Sequence, residues 1–267
     1  MADSKDADAP SSGPPKGNPP PRFRLKPLDI PVLKHLRSKR VILASASPRR
    51  KALLGQVGLV NLDIIPSTKP ENVDKKSHTP AEYVTATAIQ KCLDVYELAV
   101  QSQPETRDDA TEPRPDPSLV ISADTIVVSR DGRILEKPRD RADHIRMLRH
   151  LRDTRVHSVL TAVCAIAPRE DAQYPGYVME THTEETKVYF ARESDGLPDD
   201  VIEAYVSTGE GVDKAGGYAV QGIGGMLLVE KVEGSVDNVV GLPVRQCLAL
   251  AEKVIFRQDG ESEGEDE

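Results

Sequence analysis

The chain has 267 residues, which allows one large domain or two small ones, each with a real core; 38% of the residues are hydrophobic and only 4% are aromatic, so we expect an aliphatic core. The formal net charge of −8 argues against nucleic-acid binding through bulk charge. No segment approaches the roughly 20 apolar residues of a membrane helix or resembles a signal peptide, so we predict a cytoplasmic protein without membrane contact.

Two tails flank the predicted domain. Residues 1–27 are rich in Pro, Ser, Asp and Gly, which predicts disorder, with a polyproline ligand for a partner as the alternative. Residues 258–267 are acidic and predict a solvated tail. Residues 28–257 then form one domain, with polar, proline-containing loop insertions at 101–117 and 168–180.

The first predicted elements alternate between strand and helix. The strand RVILA ends at Ala44, and SASPRRKALLGQVG predicts a helix with Ser47 as N-cap, Pro48 in its first turn and Gly58 at its end. LDIIPS predicts a second strand, and a long helix begins near Pro80. Its predicted core-facing side chains are Ile89, Cys92, Leu93 and Tyr96.

The rest of the chain mixes long strands with helices. LVISADTIVV predicts a buried strand, followed by a hairpin turn with Asp131 and Gly132 at its tip and a short helix from about Arg141. SVLTAVCAIA and EETKVYFA predict two long strands. A helix near Pro198, a glycine-rich segment, the strand MLLVEKVEG and a final helix from Pro243 follow. This order predicts an α/β or α+β fold with a mixed sheet and helices outside.

The segment SASPRR indicates an anion site. A helix that begins directly after a strand and a tight turn presents free N–H groups to an anion. Arg49 and Arg50 add two cations in the first turn, where they oppose the helix dipole unless an anion is bound. Two surface arginines held in solvent are the alternative, and the Walker pattern is absent.

Isolated charged residues in apolar surroundings are further candidates. Lys91 falls on an apolar helical stripe, so it either snorkels to solvent or points into a cleft. Asp124 follows the apolar run LVIS, and the carboxyl end of a buried strand is where α/β sheets place ligand groups; a turn or cap role is the alternative. Lys137, in LEKP, could reach the same end of the sheet.

A glycine-rich segment and three cysteines are the remaining candidates. GVDKAGGYAVQG allows close approach of backbone to ligand, and Lys214 and Gln221 supply a charge and an amide that could read a base edge. The cysteines, Cys92, Cys164 and Cys247, lie in apolar stretches without CxxC spacing, so we predict buried thiols.

Taken together, these motifs resemble the Maf family. LASASPRRKALL, SADTIVV with LEKP, DKAGGYAVQG and NVVGLP occur in the family's order and span roughly Arg40 to Phe256. The chain is most similar to the branch that acts on dTTP and UTP, and to the Maf half of animal acetylserotonin methyltransferase-like proteins. The resemblance implies a two-lobed, inosine-triphosphatase-like α/β fold, with a mixed twisted sheet flanked by helices and a central cleft.

The resemblance also implies residue roles. Asp124 would be the general base and, with Glu71, would hold a divalent cation (Mg²⁺, Mn²⁺ or Co²⁺); Lys91 and Lys137 would assist catalysis. The residues that would bind substrate are Ser47, Arg49, Arg50, Thr125, Lys214 and Gln221, of which Arg49, Thr125 and Gln221 match positions tied to base selection. Glu71 is a single acid where the family usually has a pair.

The implied reaction is hydrolysis of the α-β phosphoanhydride of dTTP, UTP or a modified pyrimidine nucleotide, by a homodimer. One alternative is a non-catalytic Maf-fold regulator of cell division. Another is a pyrophosphatase for 7-methyl-GTP or damaged purine nucleotides. The intact acidic, basic and glycine-rich motifs favour an enzyme, and Gln221 favours a pyrimidine.

Overall fold

The computed structural model describes residues 28–257 apart from 71, 102–114, 170 and 172–175. Both predicted tails and most of the first predicted insertion lie outside these residues. The helices are α1 (Pro31–Leu36), α2 (Pro48–Gln56), α3 (Pro80–Gln101), α4 (Arg141–Thr154), α5 (Asp199–Ser207), α6 (Ile223–Leu227), α7 (Val236–Val240) and α8 (Val244–Phe256). The strands are β1 (Val41–Leu43), β2 (Leu62–Ile64), β3 (Leu119–Ser129), β4 (Ile134–Leu135), β5 (Val156–Pro168), β6 (Tyr177–Phe190) and β7 (Val229–Glu233).

These strands form one mixed sheet in the order β2-β1-β3-β5-β6-β7, with β4 paired to the far end of β3. β1 runs parallel to β2 and to β3, whereas all the other pairings are antiparallel. The predicted mixed sheet is therefore confirmed. Parallel strands with crossover helices occupy one end of the sheet, and a long antiparallel meander occupies the other.

Three apolar clusters attach the helices to this sheet. α3 packs on one face through Val84, Ala88 and Val95, and α1, α2 and α8 cover the opposite face. α4 and α5 pack at the antiparallel end, around Phe190 and Tyr205. The fold therefore has two lobes joined by the long strands β3, β5 and β6.

Strand β3 changes partner along one of its edges, and this interruption creates an opening. Its first residues pair with β1, the last of them being Ile121, and β4 pairs only with Val127 and Val128. On the opposite edge β5 pairs continuously from Val120 to Ser129. In the described residues, no strand borders residues 122–126 on the first edge, and Asp124, Thr125 and Ile126 line a cleft between the lobes.

Local capping fixes the two helices nearest this opening. The Ser47 hydroxyl accepts a hydrogen bond from the Arg50 N–H, and Pro48 occupies the first turn of α2, as predicted. At α3, the Thr79 hydroxyl accepts from the Glu82 N–H while the Glu82 carboxylate accepts from the Thr79 N–H. This reciprocal capping box sets the predicted start at Pro80.

The predicted position of Asp124 at the end of a strand is wrong. Asp124 lies in the middle of β3 and pairs with Ala162 of β5. The expectation failed because β3 extends beyond its pairing with β1. Asp124 lies past the last residue that pairs with β1, but the antiparallel pairing with β5 continues to Ser129. Its side chain is therefore held by regular strand backbone rather than by a loop.

Several predicted boundaries also change. The predicted loop at 168–180 is too long, because Pro168 pairs with Tyr177 and β6 begins there. Gln101 ends α3 instead of opening an insertion. On α3, Cys92 is buried as predicted, but the other three predicted core residues are only half-buried, because the deepest stripe is the one that carries Lys91. Residues 226–228 belong to α6 and its cap rather than to the last strand.

Two glycine substitutions test this description of the backbone. Gly216 has φ +73° beneath the cleft, and an added Cβ would lie 2.8 Å from Val127 Cγ2. Gly216→Ala should therefore lower the free energy of unfolding by about 2–4 kcal/mol. Gly55→Ala, on the open surface of α2, should change it by less than about 1 kcal/mol, in the stabilising direction. Urea unfolding measures both, and equal effects would contradict the strained geometry at Gly216.

Candidate active site

The opening beside β3 is a cleft of about 970 Å³, within the size range of small-molecule sites. Nine of the ten predicted site residues line it. They are Ser47, Arg49, Arg50, Lys91, Asp124, Thr125, Lys137, Lys214 and Gln221. The tenth, Glu71, lies outside the described residues.

An ion pair forms the centre of the cleft. Lys91 Nζ lies 2.7 Å from Asp124 Oδ1, and the two side chains are only 19% and 14% exposed. Lys91 therefore points into the cleft rather than snorkelling. Asp124 Oδ2 has no hydrogen-bond partner among the described residues, so one carboxylate oxygen is left open. A carboxylate held by a cation on one oxygen can accept a proton or a cation on the other.

Arg50 is a fixed cation in the wall opposite α3. Its guanidinium donates to the Gly241 carbonyl oxygen at 2.8 Å, to the Ser45 hydroxyl at 3.0 Å and to the Thr125 hydroxyl at 3.1 Å. These contacts join α2, β3 and the turn after α7. The planar fork of Arg50 is thus locked before any ligand arrives, while its charge remains at the cleft.

The glycine-rich segment supplies a second group of charges. Asp213 contacts Lys214 at 2.5 Å and Arg49 at 3.4 Å, so it joins this segment to α2 across the cleft. Lys214 and Arg49 hold the pKa of Asp213 below its ordinary value. In contrast, Lys137 and Gln221 make no hydrogen bond or ion pair with the described residues, so both are available to a ligand.

Glu210 organises the glycine-rich segment, and sequence reasoning missed it. Its carboxylate accepts hydrogen bonds from the Ile223 N–H at 2.8 Å and the Gly224 N–H at 2.9 Å, and its carbonyl oxygen accepts from Lys214 Nζ. Burial raises the pKa of Glu210, but these backbone bonds and the Tyr205 hydroxyl outweigh burial and lower it. One acid therefore positions both Lys214 and the turn that carries Gln221.

Asp94 has the same role for the loop after β2 and was also missed. It is 3% exposed, and its carboxylate accepts from the Ser67 hydroxyl at 2.6 Å and the Thr68 N–H at 3.2 Å. Lys69 Nζ lies 3.1 Å from the same carboxylate. The only sequence signal was a charged residue within the buried surface of α3. Ser67 and Lys69 both line the cleft, so Asp94 fixes part of its wall.

The cleft has two chemically different walls because side chains alternate along β3. Asp124 faces α3, on the same side as Lys91 and Lys69. Thr125 faces the opposite side, next to Arg50. The apolar residues that line the Thr125 side are Val159, Val220, Val239 and Val240.

The acidic side chains of the cleft determine whether it could hold a metal ion. In the part of the chain that is described, no cluster of three or more His, Cys, Asp or Glu side chains could hold one. Mg²⁺ in nucleotide sites takes one or two carboxylates and completes its shell with phosphate oxygens and water. The open oxygen of Asp124 fits an ion that binds together with a triphosphate.

The predicted burial of the cysteines is confirmed: all three are free and buried. Burial raises the pKa of the Cys247 thiol to about 12.

None of the helices in the described ranges combines the length and apolar character needed to cross a lipid bilayer.

Comparison with known proteins adds independent findings. Residues 40–254 match the family model of the Maf-like proteins. A dTTP/UTP pyrophosphatase of Schizosaccharomyces pombe is 44% identical, over 88% of this chain and 92% of the relative. One from Anaeromyxobacter dehalogenans is 42% identical, over 81% and 95%. A human probable bifunctional dTTP/UTP pyrophosphatase/methyltransferase protein is 44% identical over 85% of this chain, which spans 34% of the human protein.

The Asp94 contacts generate a stability prediction. Asp94→Asn should lower the free energy of unfolding at pH 7 by about 1–3 kcal/mol, because it places an amide against backbone donors and removes the ion pair. Glu97→Gln, which affects only the exposed contact to Lys69, should cost less than about 1 kcal/mol.

The pH dependence of this difference follows from the pKa of Asp94. Burial raises that pKa, but the bonds from Ser67 and Lys69 lower it below its ordinary value of 3.8. The stabilisation is therefore complete above pH 3.8 and is lost as the pH falls through the lower, folded-state value. Urea unfolding between pH 7 and pH 3 measures this, and a gap between wild type and Asp94→Asn that widens with acid contradicts it.

Proposed function

This chain belongs to the Maf family, and from that premise we propose that it hydrolyses the α-β phosphoanhydride of dTTP and UTP, giving the nucleoside monophosphate and pyrophosphate. It is thus a hydrolase of nucleoside triphosphates. The observation that carries this proposal is the Lys91–Asp124 pair at the centre of a cleft rich in cations. Relatives at 42–44% identity that bear this activity in their names support the same conclusion.

The charges of the cleft suit a triphosphate. The cations that line it are Arg49, Arg50, Lys69, Lys91, Lys137 and Lys214. The acids that line it are Asp124, Glu136, Glu210 and Asp213. A nucleoside triphosphate brings about four negative charges, which an excess of fixed cations and the N-terminus of α2 can stabilise. The substrate phosphates would replace Asp213 as the anionic partner of Arg49 and Lys214.

The residues of the cleft can divide the reaction between them. Oδ2 of Asp124 accepts a proton from a water molecule, whose oxygen forms a bond to the α-phosphorus as the bond to the bridging oxygen breaks. Lys91 keeps the Asp124 carboxylate oriented for this step. Pyrophosphate departs with the bridging oxygen, and Lys137, which has no partner among the described residues, is available to neutralise its developing charge.

We also propose a divalent cation, held by Asp124 and Glu71, with Mg²⁺, Mn²⁺ or Co²⁺ as the candidates. Such an ion supplies neutralisation of phosphate charge when bound. The open oxygen of Asp124 supports the proposal, with an ion bound there as the alternative to direct proton transfer from water to Asp124.

For the base, we propose that Gln221 and Thr125 read the pyrimidine edge while Arg49 closes the site from α2. Gln221 has no partner among the described residues, which leaves its amide free for a base.

Cytoplasmic location is supported by three buried, reduced cysteines. A homodimer is supported by the family resemblance, and sizing by light scattering tests it. The net charge of −8 supports the absence of a nucleic-acid partner.

The activity is tested by measuring pyrophosphate release from a panel of triphosphates, with each metal and with EDTA. We expect metal-dependent release from dTTP and UTP, and no release with EDTA. The panel also holds CTP, 5-methyl-UTP, GTP, 7-methyl-GTP and ITP. Release from 7-methyl-GTP or ITP alone would replace the proposed base, and release from none would favour a binding protein.

The role of Asp124 is tested by Asp124→Asn. The amide cannot take the proton, so kcat should fall by at least about 100-fold while the protein stays folded. Asp63→Asn is the matched control, since Asp63 is also a strand carboxylate paired with a cation, Arg40, but lies outside the cleft. Steady-state kinetics and thermal unfolding are measured for both. Full turnover by folded Asp124→Asn would remove this residue from the mechanism.

A further inference from the structure

Two hydroxyl groups, those of Thr125 and Thr161, form a line from the cleft into the core. Thr125 Oγ1 lies 2.9 Å from Thr161 Oγ1 on β5, directly across the antiparallel ladder. Thr161 is fully buried, and its hydroxyl lies 2.9 Å from the carbonyl oxygen of Asn238 in α7. Of Thr125, Thr161 and Asn238, only Thr125 also lines the cleft.

The Asn238 carbonyl oxygen, at the buried end of this line, determines which hydroxyl donates to which. A carbonyl oxygen can only accept, so the single proton of Thr161 is directed to Asn238. Thr161 must then accept from Thr125, and the proton of Thr125 points away from the cleft. Arg50 Nη2 donates to Thr125 Oγ1 at 3.1 Å and occupies one of its two lone pairs. What Thr125 offers to a ligand is the other lone pair, as an acceptor only.

Beside the Arg50 guanidinium, the Thr125 wall also offers a surface that suits a nucleobase. Val159, Val239 and Val240 supply apolar surface there, which fits the faces of a flat ring. Lys91 and Asp124 lie on the other face of β3. A base lodged on the Thr125 side would present its polar edge to the single acceptor described above.

We propose that Thr161 is a positioning residue that selects the base. Because it holds Thr125 as an acceptor, the site prefers a base with an N3–H donor, which uracil and thymine have, over cytosine, whose N3 is itself an acceptor. This inference rests on the proposed function and deepens it. Cytosine would face Thr125 with two acceptors in contact and no proton between them, an arrangement that forfeits a hydrogen bond and leaves both groups unsatisfied.

The test compares kcat/KM for UTP and CTP in three proteins: wild type, Thr161→Val and Thr161→Ser. Valine preserves the shape and removes the hydroxyl, so the proton of Thr125 is free to rotate toward the cleft and donate to cytosine. The Asn238 carbonyl keeps its bond from the Gly241 N–H at 3.0 Å, so no buried acceptor is left bare. We expect the UTP to CTP ratio to fall about tenfold or more with valine, and to stay near the wild-type value with serine.

Each outcome has a distinct meaning. An unchanged ratio in folded Thr161→Val overturns the inference and leaves the proposed function standing. Equal losses with valine and serine also overturn it, since they indicate packing rather than the hydroxyl. A wild type that releases no pyrophosphate from UTP overturns the proposed function as well. Thermal unfolding accompanies each assay, and Thr161→Ala replaces valine in the comparison with serine if valine impairs folding.

Discussion

Strand β3 loses its parallel neighbour β1 after Ile121 and gains β4 only at Val127, and the arrangement of the cleft depends on this interruption. A sheet with continuous pairing there would have closed the opening. Because β5 pairs with β3 throughout, this stretch keeps regular strand geometry although it borders a cavity. Asp124 and Thr125 are therefore positioned with the accuracy of a central strand, and alternation sends them to opposite walls.

The charges of the cleft are arranged before any ligand binds. Asp213 lies between Arg49 and Lys214, and Asp124 holds Lys91. Such pairing keeps cations at fixed positions at a lower cost than leaving them unpaired in a partly buried site. In the proposed reaction, a bound triphosphate would exchange one set of anionic partners for another, so little reorganisation would accompany the reaction.

Local features of the sequence predicted a large part of the fold and of the cleft. Ser47 and Pro48 indicate a helix start, because helix capping depends only on neighbouring residues. Lys91 was identifiable as a charged residue on an apolar helical stripe. Thr161 resembles any strand threonine, and its significance depends on Asn238, 77 positions away. Asp94 and Glu210 were missed for the same reason, since their partners are loop backbone groups that no periodicity identifies. The length of β3 beyond β1 is likewise a property of pairing, not of local propensity.

Asp94 and Glu210 also show how this fold orders loops that cannot pack. The loop after β2 and the glycine-rich segment have few large apolar side chains to bury, so the hydrophobic effect anchors them weakly. A buried carboxylate that accepts several hydrogen bonds provides an alternative anchor, because each accepted N–H satisfies a backbone donor that would otherwise lack a partner. Both acids carry negative charge near a site for an anionic ligand, and direct backbone donors and Lys69 or Lys214 offset that charge locally. The cleft thus gains order from acids whose charge is already neutralised, which would leave Lys137 and the α2 N-terminus for the phosphates of the proposed substrate.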